Sequence, residues 1–245
     1  MKDIVTVLLL SLVVFFFING CSTVGIHHSV LESSPYIDHG MNDGCMRVNG
    51  RNGIAASLNG YYNHIYTDSD TSIQTYNCNI GFRGRFYDVG DIGIGLNVNV
   101  VDNRLYGYGI TDAKFYVLDD KMGIYPYIGF GAGMGTFAWS FDIRTAMIFR
   151  VNVVENTMAI HAAPRLIGLL YPYYEEVSGG VTLSYSYSVM PIYGINAGLD
   201  LTIPFEEKMF FTITPDMNLL FAQESQGDEV SVTVFQVGCS FGIAF

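Results

Sequence analysis

From residue 53 onward the chain alternates apolar residues with small or polar ones. That is the period of a strand whose two faces meet different surroundings. Segment 92–100 is the plainest case. Ile92, Ile94, Leu96, Val98 and Val100 fall on one face, and Gly93, Gly95, Asn97 and Asn99 on the other. The same alternation predicts strands over 54–66, 73–87, 111–118, 124–138, 141–153, 157–170, 193–203, 209–222 and 230–245, ten in all. Most run longer than the 5–6 residues usual in soluble sheets and match the roughly 9–11 needed to cross a bilayer at a tilt. The last segment puts Phe235, Val237, Cys239, Phe241, Ile243 and Phe245 on one face.

Connections between these strands alternate in length. Short turns are expected at 88–91, 119–123, 154–156 and 204–208, and longer loops at 67–72, 103–110, 171–192 and 223–229. The longer set is acidic, carrying Asp68, Asp70, Glu175, Glu176, Glu224, Asp228 and Glu229. Short turns on the side of the termini and longer loops opposite suit an up-and-down barrel. The fold expected is therefore an all-β, transmembrane, antiparallel up-and-down barrel of about ten strands. Eight or twelve stay open, because 171–192 is long enough to hide a hairpin.

Charge sharpens this picture. Only 14% of residues are charged and half are hydrophobic; an ordinary soluble domain carries about a quarter charged. In the predicted register Arg83, Arg85, Lys114, Arg144, Arg150 and Arg165 fall on the inward face, with Asp112, Asp142, Asp200, Asp216 and His161. None falls on the lipid face, where a central Arg would cost roughly 2–4 kcal/mol. The expected lumen is thus lined by six basic and four acidic groups, and an open one would favour anions. A ten-strand lumen is only slightly wider than one that side chains fill, so a plugging salt-bridge network is the expected state. The net charge of −11 excludes a nucleic-acid partner.

The first twenty residues read as a signal peptide. Lys2 precedes an apolar run over 4–18, shorter than a membrane-spanning helix needs. Ile18-Asn19-Gly20-Cys21 resembles a bacterial lipobox, and the resemblance implies lipidation of Cys21. Residues 21–52, rich in Ser, Gly, Asn and His and without a persistent period, are expected to form a flexible periplasmic tether. The barrel would then occupy 53–245.

Tyr125-Pro126-Tyr127-Ile128-Gly129-Phe130-Gly131-Ala132-Gly133 resembles the P-Y-x-G-x-G-x-G strand of small OmpA/OmpW-like outer-membrane barrels. Ser240-Phe241-Gly242-Ile243-Ala244-Phe245 is similar to their C-terminal signature. The resemblance implies a bacterial outer-membrane location, lipid as the surrounding partner, and recognition of the strand ending in Phe245 by the barrel assembly machinery.

Other candidate chemistry is sparse. His27, His28, His39 and Cys45, with Asp38 and Asp43, match no closed metal pattern, so no metal or other cofactor is expected. Cys78 and Cys239 face lipid with one strand between them, about 9–10 Å apart and beyond disulfide reach. Ser140, Ser178, Ser184, Ser186 and Ser188 lie in no nucleophile-elbow pattern, and His161 alone does not make a hydrolase. Tyr171, Tyr173, Tyr174, Tyr185 and Tyr187 suit an interfacial girdle or a surface patch. The expected function is non-enzymatic: a structural or surface-interaction barrel with a narrow, charge-lined lumen. The alternatives are a small channel for polar or anionic solutes and, less favoured, an outer-membrane enzyme acting on lipid or peptide. The sequence identifies no extracellular ligand.

Overall fold

A computed structural model describes residues 53–67, 72–86, 88–101, 104–119, 122–134, 139–176, 183–206, 209–224 and 230–245. The strands are β1 (Ile54–Thr67), β2 (Ser72–Phe86), β3 (Gly90–Val101), β4 (Arg104–Phe115), β5 (Leu118–Asp119), β6 (Met122–Met134), β7 (Trp139–Val154), β8 (Met158–Glu176), β9 (Leu183–Glu206), β10 (Met209–Glu224) and β11 (Val230–Ala244). β5 is a two-residue pairing inside a turn. The other ten form one antiparallel sheet in which each strand pairs with its neighbours in sequence.

Two seams close the sheet. β1 pairs with β11 from Ala55↔Ala244 to Thr67↔Val232, and Phe245 N donates to Ile54 O at 2.8 Å. β4 pairs with β6 from Tyr108↔Gly133 to Lys114↔Tyr127, passing over β5. A closed ladder leaves no backbone edge within the barrel wall, the condition for crossing hydrocarbon with strands. Apart from register shifts near the turns at Asn152/Val154 and Met209/Phe210, the described ladder is interrupted at two places, around Met147 and Ile148 in β7 and around Thr214 and Pro215 in β10. Each gap lies beside a proline, Pro164 or Pro215, which has no N–H to give.

The exterior is apolar. Ile54, Leu58, Ile80, Phe82, Ile92, Ile94, Ile143, Leu166, Ile195 and Phe241 are all exposed. Aromatic residues flank this belt at both ends. Tyr66, Tyr76, Trp139, Phe141, Tyr193 and Phe221 stand toward the loops, and Phe115, Phe149, Phe205, Phe211 and Phe245 toward the turns. Tyr193 and Phe221 stack at 5.7 Å, and Phe205 meets Phe211 edge-on at 5.4 Å. An apolar band between aromatic girdles, on an even-stranded closed barrel, is the exterior of a bacterial outer-membrane protein. The chain is a ten-strand barrel of that membrane.

Three expectations about connections need correction. The loop expected at 103–110 is mostly strand, because β4 begins at Arg104. Its alternation of Tyr and Gly looks turn-like but serves packing, as described below. The loop expected at 171–192 extends β8 and β9, which pair as far as Glu176↔Leu183, so no extra strands are inserted. The turn expected at 88–91 ends earlier, and Asp91 stands inside β3. The β7–β8 turn contains Asn156 with φ 56°, a left-handed position that Asn tolerates. A register shift in β7 accompanies it.

Lumen-facing glycines make room for tyrosines of the neighbouring strand. A Cβ on Gly133 would lie 2.1 Å from the Tyr108 ring, one on Gly131 2.4 Å from it, and one on Gly238 2.1 Å from the Tyr61 ring. These contacts sit on the two seams, β4–β6 and β1–β11. Outward Gly60 has open space where a Cβ would go. Gly133→Ala is therefore expected to destabilise the barrel by about 1–3 kcal/mol through overpacking, and Gly60→Ala to leave it unchanged. Urea unfolding in detergent, followed by heat-modifiable gel migration, measures both.

Candidate functional site

The residues inside the barrel form layers, set by which inward position of each strand falls at each height. At the turn end β2, β3, β4 and β6 bring together Arg83, Asp91, Asp112, Lys114, Tyr116 and Tyr125. Arg83 is buried and donates to Asp91 through Nη1 and to Asp112 through Nη2. Lys114 Nζ lies 3.3 Å from Asp91 Oδ2, and the Tyr116 hydroxyl donates to the same carboxylate oxygen. Burial, followed by the charge of Asp91, pushes the Tyr116 phenol well above its ordinary pKa. Half-buried Arg85 caps the group, its guanidinium 4.4 Å from the centre of the Tyr116 ring.

A second cluster lies across the turn end, on β7 to β10. Arg150 Nε donates to Asp200 Oδ2 at 3.0 Å, and Thr214 donates to Asp200 Oδ1 at 3.1 Å. His161 Nδ1 stands 3.2 Å from Asp200 Oδ1, and its Nε2 stands 3.1 Å from Asn196 Oδ1. Asn196 Nδ2 donates to Asp216 Oδ2 at 2.8 Å, which fixes the amide orientation. Both imidazole nitrogens therefore face acceptors.

The middle of the lumen is amide-rich. Arg165 donates to Asn218, which donates on to Gln236, and Asn63 donates to Thr75 at 2.9 Å. Asn59, Asn79 and Asn97 follow one another across β1, β2 and β3 in register, all buried. Arg144 sits on the opposite wall. It grips Asp142 with Nε at 2.8 Å and Nη2 at 2.6 Å, and its charge lies 5.6 Å from the Tyr108 ring centre. The Tyr108 hydroxyl donates to the same carboxylate.

Toward the loops the lumen becomes apolar. Ile65, Tyr108, Ile110, Ile167, Leu169, Met190, Ile192, Leu220, Ala222, Val232 and Val234 form one buried cluster drawn from six strands. The alternation predicts small and polar residues throughout the lumen, and this apolar layer departs from it. The signal was present as lost alternation. Leu166-Ile167-Gly168-Leu169-Leu170 and Leu219-Leu220-Phe221-Ala222 are apolar on both faces.

Of the expected lumen set, Arg83, Lys114, Arg144, Arg165, Asp112, Asp142, Asp200, Asp216 and His161 are buried, while Arg85 and Arg150 are partly exposed. The structure adds Asp91, 0% exposed, which raises the acids from four to five against six basic groups. Sequence reading missed it because Asp88-Val89-Gly90-Asp91 reads as one turn. The anion preference inferred from a six-to-four balance is correspondingly weaker. Cys78 and Cys239 are free thiols on the exterior, each paired in register with Gly60 of β1. Ser140 is buried, and Tyr187 is exposed at the loop end. Residues 1–20, Cys21, the 21–52 tether with His27, His28, His39, Cys45, Asp38 and Asp43, and Ser178, Asp68, Asp70, Asp228 and Glu229 lie outside the described residues.

The buried network sets a measurable expectation. Arg83→Met leaves two buried carboxylates without their shared guanidinium and should cost about 3–5 kcal/mol. Adding Asp112→Asn, which leaves Lys114 paired with Asp91, should recover much of that loss. Unfolding midpoints in detergent, compared across the single and double variants, check it.

No protein-family model matches the chain, and no curated protein matches it. Solved structures similar to it include Neisserial surface protein A, at 11% identity and a TM-score of 0.37, covering 78% of this chain and 95% of that one. The translocator domain of the autotransporter NalP from Neisseria meningitidis is also similar, at 11% identity and 0.42, covering 82% and 91%. So is the outer membrane protease OmpT from Escherichia coli, at 8% identity and 0.40, covering 82% and 98%.

Proposed function

We propose that this protein is an outer-membrane barrel with a lumen closed by its own side chains, acting through its cell-surface end rather than as a conduit or an enzyme. The observation that carries this reading is the apolar layer beneath the loops. Eleven buried residues there offer a solute almost no polar partner. A passing ion would lose its hydration without replacement, at a cost of several kcal/mol. Below that layer, among the described residues, Arg83, Arg144 and Arg150 are each committed to a carboxylate.

The non-enzymatic reading rests on His161. It is buried, and both its nitrogens are directed at acceptors, which leaves no lone pair aimed at a substrate. We further propose OmpA/OmpW-like membership, a lipid anchor on Cys21, and delivery by the barrel assembly machinery through the outward Phe245. Mass spectrometry of the mature N-terminus should find a diacylglyceryl adduct on Cys21; an unmodified Cys21, or a different N-terminus, would reject the anchor.

Conductance in planar bilayers tests the closed lumen. The wild-type protein should give no steady open current. Leu169→Ala combined with Leu220→Ala, which thins the apolar layer, should raise the frequency of openings. Steady wild-type currents would favour a channel instead.

A further inference from the structure

Among the described residues three arginines are buried in the lumen: Arg83, Arg144 and Arg165. Arg83 pairs with Asp91 and Asp112, and Arg144 grips Asp142. Arg165 makes no ion pair among the described residues. Its Nη2 donates to the neutral amide oxygen of Asn218, while its Nε and Nη1 are buried without a hydrogen-bond partner.

Two more groups in the middle of the lumen are left in the same condition. Arg144 Nη1 has no partner, although its Nε and Nη2 hold Asp142. Asn79, on the facing wall, has neither its amide nitrogen nor its amide oxygen engaged. Arg165 is 5% exposed, Asn79 1% and Arg144 0%, so bulk water reaches none of them.

The register explains why the two guanidiniums are neighbours. Arg165 stands opposite Ala146 and Arg144 opposite Ile167, so they rise from diagonal inward positions of adjacent strands. Such positions are roughly 7–8 Å apart, within reach of long side chains. Asp142 neutralises only one of the two. Asp216, Tyr61 and Tyr127 also lie within electrostatic reach of Arg165. Asp216 nevertheless forms no ion pair with Arg165, and its Oδ2 accepts from Asn196 at 2.8 Å. A buried guanidinium needs a countercharge and an acceptor for each remaining N–H. Water supplies the acceptor without the charge. A dianion overcompensates a single guanidinium.

We propose that the middle of the lumen binds one small monovalent anion of the halide class, with Arg165 Nε and Nη1 as its main donors and Arg144 Nη1 and the Asn79 amide beside it. A ten-strand lumen is slightly wider than one that side chains fill, which leaves room for such an ion. The apolar layer shuts the site from the loop end, and the charged clusters shut it from the turn end. The anion is therefore enclosed as the barrel closes and belongs to its packing. This goes beyond the closed-lumen reading, because an enclosed ion is not a transported one.

Equilibrium folding tests the site. Full-length protein is folded and unfolded with urea in detergent, while chloride replaces the larger anion gluconate stepwise at constant ionic strength. A ligand held only by the folded state raises the folding constant about tenfold for each tenfold rise in its concentration above Kd. Wild-type protein should show that slope, and Arg165→Gln should abolish it. Asn79→Asp puts a fixed carboxylate at the site. It should fold without chloride at least as well as wild type and show no chloride slope, which keeps the test decisive if Arg165→Gln fails to fold. Crystals grown in bromide should give an anomalous peak within hydrogen-bond reach of Arg165. A wild-type folding constant indifferent to chloride, a slope that Asn79→Asp leaves unchanged, or no bromide beside Arg165 would each overturn the proposal. Bilayer conductance reports separately on the closed lumen, so either reading can fail without the other.

Discussion

Every backbone N–H and C=O inside a bilayer must find a partner in the protein itself, and the rest of this structure follows from that demand. Ten strands meet it by closing on themselves at β1–β11 and β4–β6. Closure forces strict alternation, because each strand then has one face to lipid and one to the interior. It also fixes the parity of the termini, so that the turns on the terminus side stay short. The two gaps in the ladder lie beside prolines, where a donor is missing by covalent structure.

An interior of this width has to be filled, and it is filled by two kinds of packing. Tyrosines lie over glycines of adjacent strands at the seams, so large and small residues trade places across the wall. Charged side chains pair with one another at the turn end, and amide side chains with Arg165 fill the middle. The Arg83, Asp91, Asp112 and Lys114 group shows why such a network holds together. Each charge is deeply buried, and each is tolerable only because its partners are present. Near the loops the filling changes to aliphatic side chains, which need no partners and exclude water. The polar network and the apolar layer therefore close the lumen by different physics at different heights.

The loop end departs from economy. Strands of 19 and 24 residues exceed what the hydrocarbon requires, and they stay paired with each other as far as Glu176↔Leu183.

Much of this was written in the chain. Alternation alone located ten strands, their outward faces and the outward Phe245, because a period of two is a local property that lipid on one side enforces. The charges within those strands fell on one parity for the same reason. What local reading lost was whatever depends on height and on neighbours. Tyr106-Gly107-Tyr108-Gly109 looks like a loop until Gly131 and Gly133 are seen beneath the Tyr108 ring. Asp91 looks like a turn residue until Arg83 and Lys114 converge on it. The apolar layer was invisible because it requires Ile65, Leu169, Leu220 and Val234 from four distant segments to reach the same level. The sequence by itself determined the period, and with it which way each side chain faces. Only the closed barrel decided which inward residues meet, because register and closure are relations between strands that no single strand contains.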